Sequence, residues 1–328
     1  MTSTGLEHRP APAGAGRFSS SSRHLLGLEG VPREALLTWL DEAAAWRARL
    51  RGGAPLPQAL AQVIVVSAFF EDSTRTRMSF EIAARQLGAT VAGFSAAGSS
   101  VSKGESLLDT LRTLAAMGLH VLVMRHPSAG AAALAAGALP CAVVNAGDGA
   151  HEHPTQGLLD LLTLRDAWQG RFAGRRIVIV GDIAHSRVAR SAIFGLRTLG
   201  VDITVAGPPS LMPRDVGSLG VTHAPELEPA LDGADAAMAL RLQRERMESG
   251  LVPEAGDYAR RWALTPARVA RMAADAVVLH PGPMNRGIEI APEVADGPRA
   301  RVLDQVANGV AVRCAVLVRC AAAQRIAA

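Results

Sequence analysis

The chain has 328 residues, 49% of them hydrophobic, a net charge of +4 and three cysteines. That length and apolar content suffice for two domains with their own cores, while Cys141, Cys314 and Cys320 are odd in number and lack metal-ligand spacing, which excludes a disulfide framework and fits the cytoplasm. Scattered arginines with 4% aromatic residues exclude a nucleic-acid surface of interleaved basic and stacking side chains; residues 1–22, rich in Ser, Pro, Gly and Ala, read as a flexible extension rather than a signal peptide, and no later run reads as a membrane span.

Helical and strand patterns alternate along the rest. A helix over 33–51 precedes a strand over 62–68, a helix over 76–87, a strand over 90–94, a helix over 106–117, a strand over 121–124, a small Ala-rich helix and a strand over 142–145. This order predicts an α/β fold with a parallel sheet. Residues 154–168, with Leu158, Leu159, Leu161, Leu162 and Leu164, read as a long buried helix, and 169–175 as the joint after it. A second α/β unit starts at 176–181. It continues through a helix over 188–199 and strands over 202–206, 234–240 and 276–279 to a helical segment over 299–324.

The turn after the first strand carries the most chemistry. Phe69-Phe70-Glu71-Asp72 leads into Ser73-Thr74-Arg75-Thr76-Arg77, so an apolar, β-branched run ends in hydroxyls and guanidiniums that open a helix. Ser73 or Thr74 can cap that helix. The free N–H groups of its first turn, the positive helix end, the hydroxyls and Arg75 together suit a phosphate dianion. A capped, solvated helix start is the plain alternative, but capping needs one hydroxyl and this turn supplies three. Arg77 suits either a ligand or a neighbouring carboxylate.

Ser73-Thr74-Arg75-Thr76 after Phe-Phe-Glu is similar to the carbamoyl phosphate signature of the transcarbamylases. Further blocks follow in family order: Lys103-Gly104-Glu105, Met124-Arg125-His126-Pro127, Gly147-Asp148-Gly149 with His153-Pro154-Thr155-Gln156, then Arg241-Leu242-Gln243-Arg244-Glu245-Arg246 and His280-Pro281-Gly282-Pro283. Over residues 24–320 the chain resembles catalytic chains of the aspartate and ornithine transcarbamylase family. The aspartate branch is favoured, because the Ser-Met-Gly loop and His-Cys-Leu-Pro block of the ornithine enzymes are absent. The resemblance implies two doubly wound parallel-sheet domains with the active site in the cleft between them: a carbamoyl-phosphate-binding domain over 23–155, completed by a C-terminal helix over 299–328, and an aspartate-binding domain over 156–298. The implied reaction carries the carbamoyl group of carbamoyl phosphate to L-aspartate in de novo pyrimidine biosynthesis, with no cofactor and no metal.

By that resemblance Ser73, Thr74, Arg75 and Thr76 hold the phosphate, Thr76, Arg125 and His153 face the carbonyl oxygen, and Gln156 accepts from the carbamoyl amide. His153 and Gln156 are one turn apart at a helix start, so they can converge on one ligand, and the helix end favours a neutral His153. Arg187, Arg241 and Gln243 resemble the aspartate-binding set, in which guanidinium forks meet carboxylates. Pro281, Gly282 and Pro283 form the loop whose carbonyls meet the aspartate amine, with Gly282 where other members carry leucine. Glu71 and Glu245, with Arg187 and Arg246, are expected to form salt bridges that favour cleft closure. Ser99 and Lys103, the sole lysine, lie in a Gly/Ser-rich loop that in the family enters the neighbouring subunit's site. A homotrimer with shared sites follows, and the N-terminal extension resembles those of enzymes that assemble with a dihydroorotase-like chain.

Other classes fit less well. A nucleotide-binding oxidoreductase is suggested by Ile177-Val178-Ile179-Val180-Gly181, but G-x-G-x-x-G is missing. A silent transcarbamylase-like scaffold is expected to have lost Arg75, Lys103, Arg125, His153 or Arg187, and all are present; another amino acid as acceptor is a closer variant. His151-Glu152-His153 offers an H-x-H pair, yet His185, His223 and His280 stand alone without metal spacing.

Overall fold

The computed structural model describes residues 23–95, 104–242 and 254–327. Their strands form two parallel sheets. β1 (Ile64–Phe69), β2 (Thr90–Ser95), β3 (Val121–His126) and β4 (Ala142–Asp148) lie in the order β2-β1-β3-β4, while β5 (Arg176–Val180), β6 (Asp202–Ala206), β7 (Thr222–Ala224), β8 (Ala236–Ala239) and β9 (Val277–Leu279) lie in the order β7-β6-β5-β8-β9. Central strands such as β5 are buried on both faces, which is why they read as continuous apolar runs. β2 is an edge strand and mostly exposed. β7, with three residues, is too short for periodicity to mark.

Eleven helices surround these sheets among the described residues. α1 (Arg33–Arg51) buries Leu36, Trp39, Leu40, Ala43 and Trp46 at helical spacing. α2 (Thr74–Gln86), α3 (Leu107–Ala116) and α4 (Ala131–Ala138) connect the strands of the first sheet. α5 (Pro154–Ala167) is buried from Pro154 through Leu164 because it is a shared wall, packed on α1 and β4 and also on α6 (Arg187–Thr198). The short α7 (Leu227–Leu231), α8 (Ala255–Trp262), α9 (Pro266–Val269) and α10 (Pro292–Ala295) lie in the second unit and were not expected from the pattern. α11 (Val302–Ala327) returns to pack on α1, α2, α5 and β4. It corrects one expectation: it is long and apolar enough to cross a bilayer, although 61% of its most apolar window is buried inside the protein. Its composition answers to those packing partners.

One apolar core runs from Val65 and Val123 through Leu158 and Leu161 to Ile177 and Ile193, so the two sheets are joined through α5. Their separation is confined to one end. In each sheet the strand order reverses once, between β1 and β3 and between β5 and β8. Crossovers leave such a switch point in opposite directions and open a crevice beyond the carboxyl ends of the strands. Residues from both switch points line the same cleft.

Candidate active site

The cleft has a volume of about 790 Å³. On its first side, β1 leads through Glu71 and Asp72 to Ser73, the N-cap residue of α2. Its hydroxyl makes no capping bond, contrary to the expected cap. That leaves the hydroxyl and the first-turn N–H groups of α2 for the cleft, which Ser73, Thr74, Arg75 and Thr76 all line. Burial first, and then the neighbouring Arg241, lower the pKa of Arg75. Arg77 does not line the cleft; it reaches Glu81 at 4.0 Å.

β3 ends beside β1 with Arg125 in register with Phe69, which brings Arg125 within 2.6 Å of Glu71. The same carboxylate receives a fork from Arg187, at the start of α6 on the second side. One acid thus bridges two guanidiniums carried by different sheets. Gly147 permits their approach: its φ is +118°, and a Cβ there would lie 3.1 Å from both arginine side chains. Burial and Arg187 lower the Arg125 pKa to about 10, so it stays charged at neutral pH. His153, at the N-cap of α5, donates its backbone N–H to Ser191 Oγ at 2.8 Å and has a buried Nδ1 with no partner. Burial first, then Arg125, Arg313 and Arg187, hold its pKa well below the usual value. His153 is therefore held neutral by burial among arginines.

On the second side, the turn after β5 is held by Asp182, which accepts the His185 backbone N–H at 3.0 Å, and Ser186 Oγ caps α6 through Ala189 N–H at 3.1 Å. Arg187 follows that cap directly. β8 runs out through Leu240 to Arg241, whose buried Nε has no partner. Pro281, Gly282 and Pro283 complete the wall. His280 pins this loop: its Nδ1 accepts from Gly282 N–H at 2.8 Å, which puts the ring proton on Nε2, 3.1 Å from Glu289 Oε1. Gly282 has φ of +61°, and the Arg75 guanidinium fills the space a Cβ would need, so glycine at this point makes room for Arg75.

Among the described residues, five arginines line the cleft (Arg75, Arg125, Arg187, Arg241 and Arg313) against three carboxylates (Glu71, Asp72 and Asp182), an excess of positive charge that suits anionic substrates. Arg313 was not among the expected residues. It comes from α11, is 4% exposed, stacks 4.9 Å from the Phe80 ring, and has a pKa lowered to about 10 by burial and then by Arg75. An arginine inside the apolar run 310–321 was the available signal. Gln305 also lines the cleft unannounced, and Asp160, one turn after Gln156, stands behind it. Ser99, Lys103, Gln243, Glu245 and Arg246 lie outside the described residues. In the H-x-H segment, His151 Nδ1 lies 3.2 Å from Asp148 and Glu152 accepts from the Leu28 and Glu29 amides and the Ser191 hydroxyl. Those bonds tie residues 28–29 to the start of α5.

The sequence model of the carbamoyl-phosphate-binding domain of aspartate/ornithine carbamoyltransferases matches residues 23–166, and that of their Asp/Orn-binding domain matches residues 173–320. The chain is 53% identical over 300 residues to the aspartate carbamoyltransferase catalytic subunit of Myxococcus xanthus, covering 92% of this chain and 100% of that one. It is 54% identical over 303 residues to that of Stenotrophomonas maltophilia, with 91% and 96% covered. Aspartate transcarbamoylase from Trypanosoma cruzi, solved in complex with carbamoyl phosphate and aspartate, matches with a TM-score of 0.80 at 32% identity over 90% of this chain and 96% of that one. Domain matches on both sides of the cleft, and relatives more than half identical along nearly the whole length, lead to one conclusion: the chain belongs to the aspartate/ornithine carbamoyltransferase family.

Proposed function

We propose that this chain transfers the carbamoyl group of carbamoyl phosphate to the amino group of L-aspartate, giving N-carbamoyl-L-aspartate and phosphate, in pyrimidine biosynthesis. The observation that carries the reading is the pairing, across one cleft, of an uncapped helix start bearing three hydroxyls and Arg75 with the arginines 187 and 241 of the other sheet. The first suits a phosphate dianion and the second the two carboxylates of aspartate. The relatives carry the name aspartate carbamoyltransferase, and the Trypanosoma cruzi enzyme has been crystallised with carbamoyl aspartate and phosphate.

In this reading Ser73, Thr74, Arg75 and Thr76 hold the phosphate, while Thr76, Arg125 and neutral His153 donate to the carbonyl oxygen as it gains charge. Fixed donors aimed at a developing oxyanion are the main catalytic requirement. Gln156 accepts from the carbamoyl NH₂. Arg187, Arg241 and Gln243 orient aspartate, and the carbonyls of Pro281 and Gly282, with Pro283 behind them, receive its amine. The amine forms the new C–N bond, the C–O bond to phosphate breaks, and the departing phosphate takes the amine proton. Ser99 and Lys103 reach the site from a neighbouring subunit of a homotrimer, Glu71 and Glu245 with Arg187 and Arg246 favour the closed cleft, and a dihydroorotase-like chain is a further partner; the cytoplasm is the place of action.

The test is incubation of the purified chain with carbamoyl phosphate and either aspartate or ornithine, with colorimetric measurement of the ureido product. Product with aspartate alone is expected. Product with ornithine alone would reassign the acceptor, and a folded trimer inactive with both would point to a silent scaffold.

A further inference from the structure

The hydrogen bonds behind Gln156 run in one direction. A backbone N–H can only donate, and that of His280 donates to Gln305 Oε1 at 3.0 Å. Gln305 is thereby oriented, and its Nε2 donates to Asp160 Oδ1 at 2.7 Å. The same oxygen accepts from Gln156 Nε2 at 2.9 Å, while Asp160 Oδ2 has no partner. Asp160, Gln305 and Gln156 are 1%, 3% and 9% exposed, so bulk water is a poor substitute for either bond. With Nε2 committed to Asp160, Oε1 is the part of the Gln156 amide left for the cleft that Gln156 lines.

We infer that Asp160 is a positioning residue for carbamoyl transfer: it fixes the Gln156 amide with its carbonyl oxygen toward the ligand NH₂ and links that orientation, through Gln305, to the loop carrying Pro281 and Gly282. The inference rests on the carbamoyl-transfer reading given above. A Gln156 amide turned by half a revolution presents donors to a donor, so the orientation decides whether the contact attracts or repels. The arrangement uses the Oδ1 oxygen rather than the charge. Burial raises the Asp160 pKa to about 7, yet Oδ1 accepts both bonds in the ionised form and equally in a form protonated on Oδ2. Asp160→Asn keeps such an oxygen; Asp160→Leu removes it at similar volume.

Two acyl phosphates that differ at one group make the test. Carbamoyl phosphate carries NH₂ where acetyl phosphate carries methyl, and inorganic phosphate reports the Ser73–Thr76 end alone. Dissociation constants for all three are measured by calorimetry on the full wild-type chain, Asp160→Asn and Asp160→Leu, with Asp160→Ala used should the leucine variant fail to fold. The wild type is expected to prefer carbamoyl over acetyl phosphate, and the asparagine variant to keep that preference. The leucine variant should lose about tenfold of it, with inorganic phosphate changed by less than about twofold. An undiminished preference in the leucine variant, an equal loss in the asparagine variant, or equal weakening of all three ligands would overturn the inference. A wild type without any preference would instead overturn the reading on which it rests.

Discussion

Arg75 occupies the cleft against the interest of the folded chain. Burial and Arg241 both oppose its charge, and glycine at 282 leaves room for it. Such a placement fits a charge required by a ligand rather than by the fold. Arg75→Ala is therefore expected to lower kcat/KM about 10²–10³-fold while leaving the melting temperature of the ligand-free chain unchanged or higher; a clear fall in that temperature would assign Arg75 to the fold. Histidines supply a second expectation at this scale. His24, which accepts from Val143 N–H at 3.0 Å, has its pKa lowered to about 4 by burial and Arg23, and His153 is also depressed. Below an unfolded-state pKa of about 6.5 the unfolded chain binds protons that the native chain refuses, so these groups withdraw stability as the pH falls from about 6.5 toward 4. Asp160 works in the opposite sense: its pKa is raised to about 7, so the native state binds the extra proton and this contribution is lost as the pH rises toward 7. The difference between wild type and His24→Gln isolates the histidine. Urea titrations at about pH 7 and pH 5 should show a shallower acid loss in the variant, and parallel losses would refute the assignment.

Glu71 joins three element ends, those of β1, β3 and α6, through Arg125 and Arg187. Glu71→Gln removes the acid that holds Arg187 against the first sheet, yet it also takes a negative charge out of an anion site. The expected result is a KM for aspartate raised about tenfold or more, with carbamoyl phosphate binding unchanged or tighter. Equal weakening of both substrates, by kinetics and calorimetry, would refute the closure role. At this scale the sequence was uneven in what it told. The turn from β1 into α2 was legible because a strand end and a helix start are local patterns, and α5 showed itself as a buried helix in its run of leucines. The partnership of Glu71 with Arg125 was not, since it depends on the register of β1 against β3. Asp160 and Gln305 are 145 positions apart along the chain, so nothing local pairs them. The short helices α9 and α10 have four residues each, about one turn, too few for apolar positions to recur at i, i+3, i+4 and i+7.

For the whole molecule, the proposed trimer makes a quantitative demand. If Lys103 serves the site of the next subunit, Lys103→Ala and Arg75→Ala chains, each inactive alone, should regain activity after denaturation and refolding together. Random assortment gives intact pairs at about a quarter of the sites, read by the ureido assay; no recovery despite proven subunit exchange would place every group of the site on one chain. The return of α11 bears on how the molecule is made. α1 ends at Arg51 and its partner α11 begins at Val302, so on a ribosome adding about 5–20 residues per second they emerge roughly 10–50 s apart. The second sheet, drawn from consecutive residues, can close within that interval. The first unit is earliest synthesised and last covered, the buried faces of α1 and α2 open meanwhile, and the segment that will cover them emerges as a helix apolar enough for a bilayer. A nascent chain stalled before Val302 thus leaves apolar surface without its cover, the condition in which partly made chains aggregate.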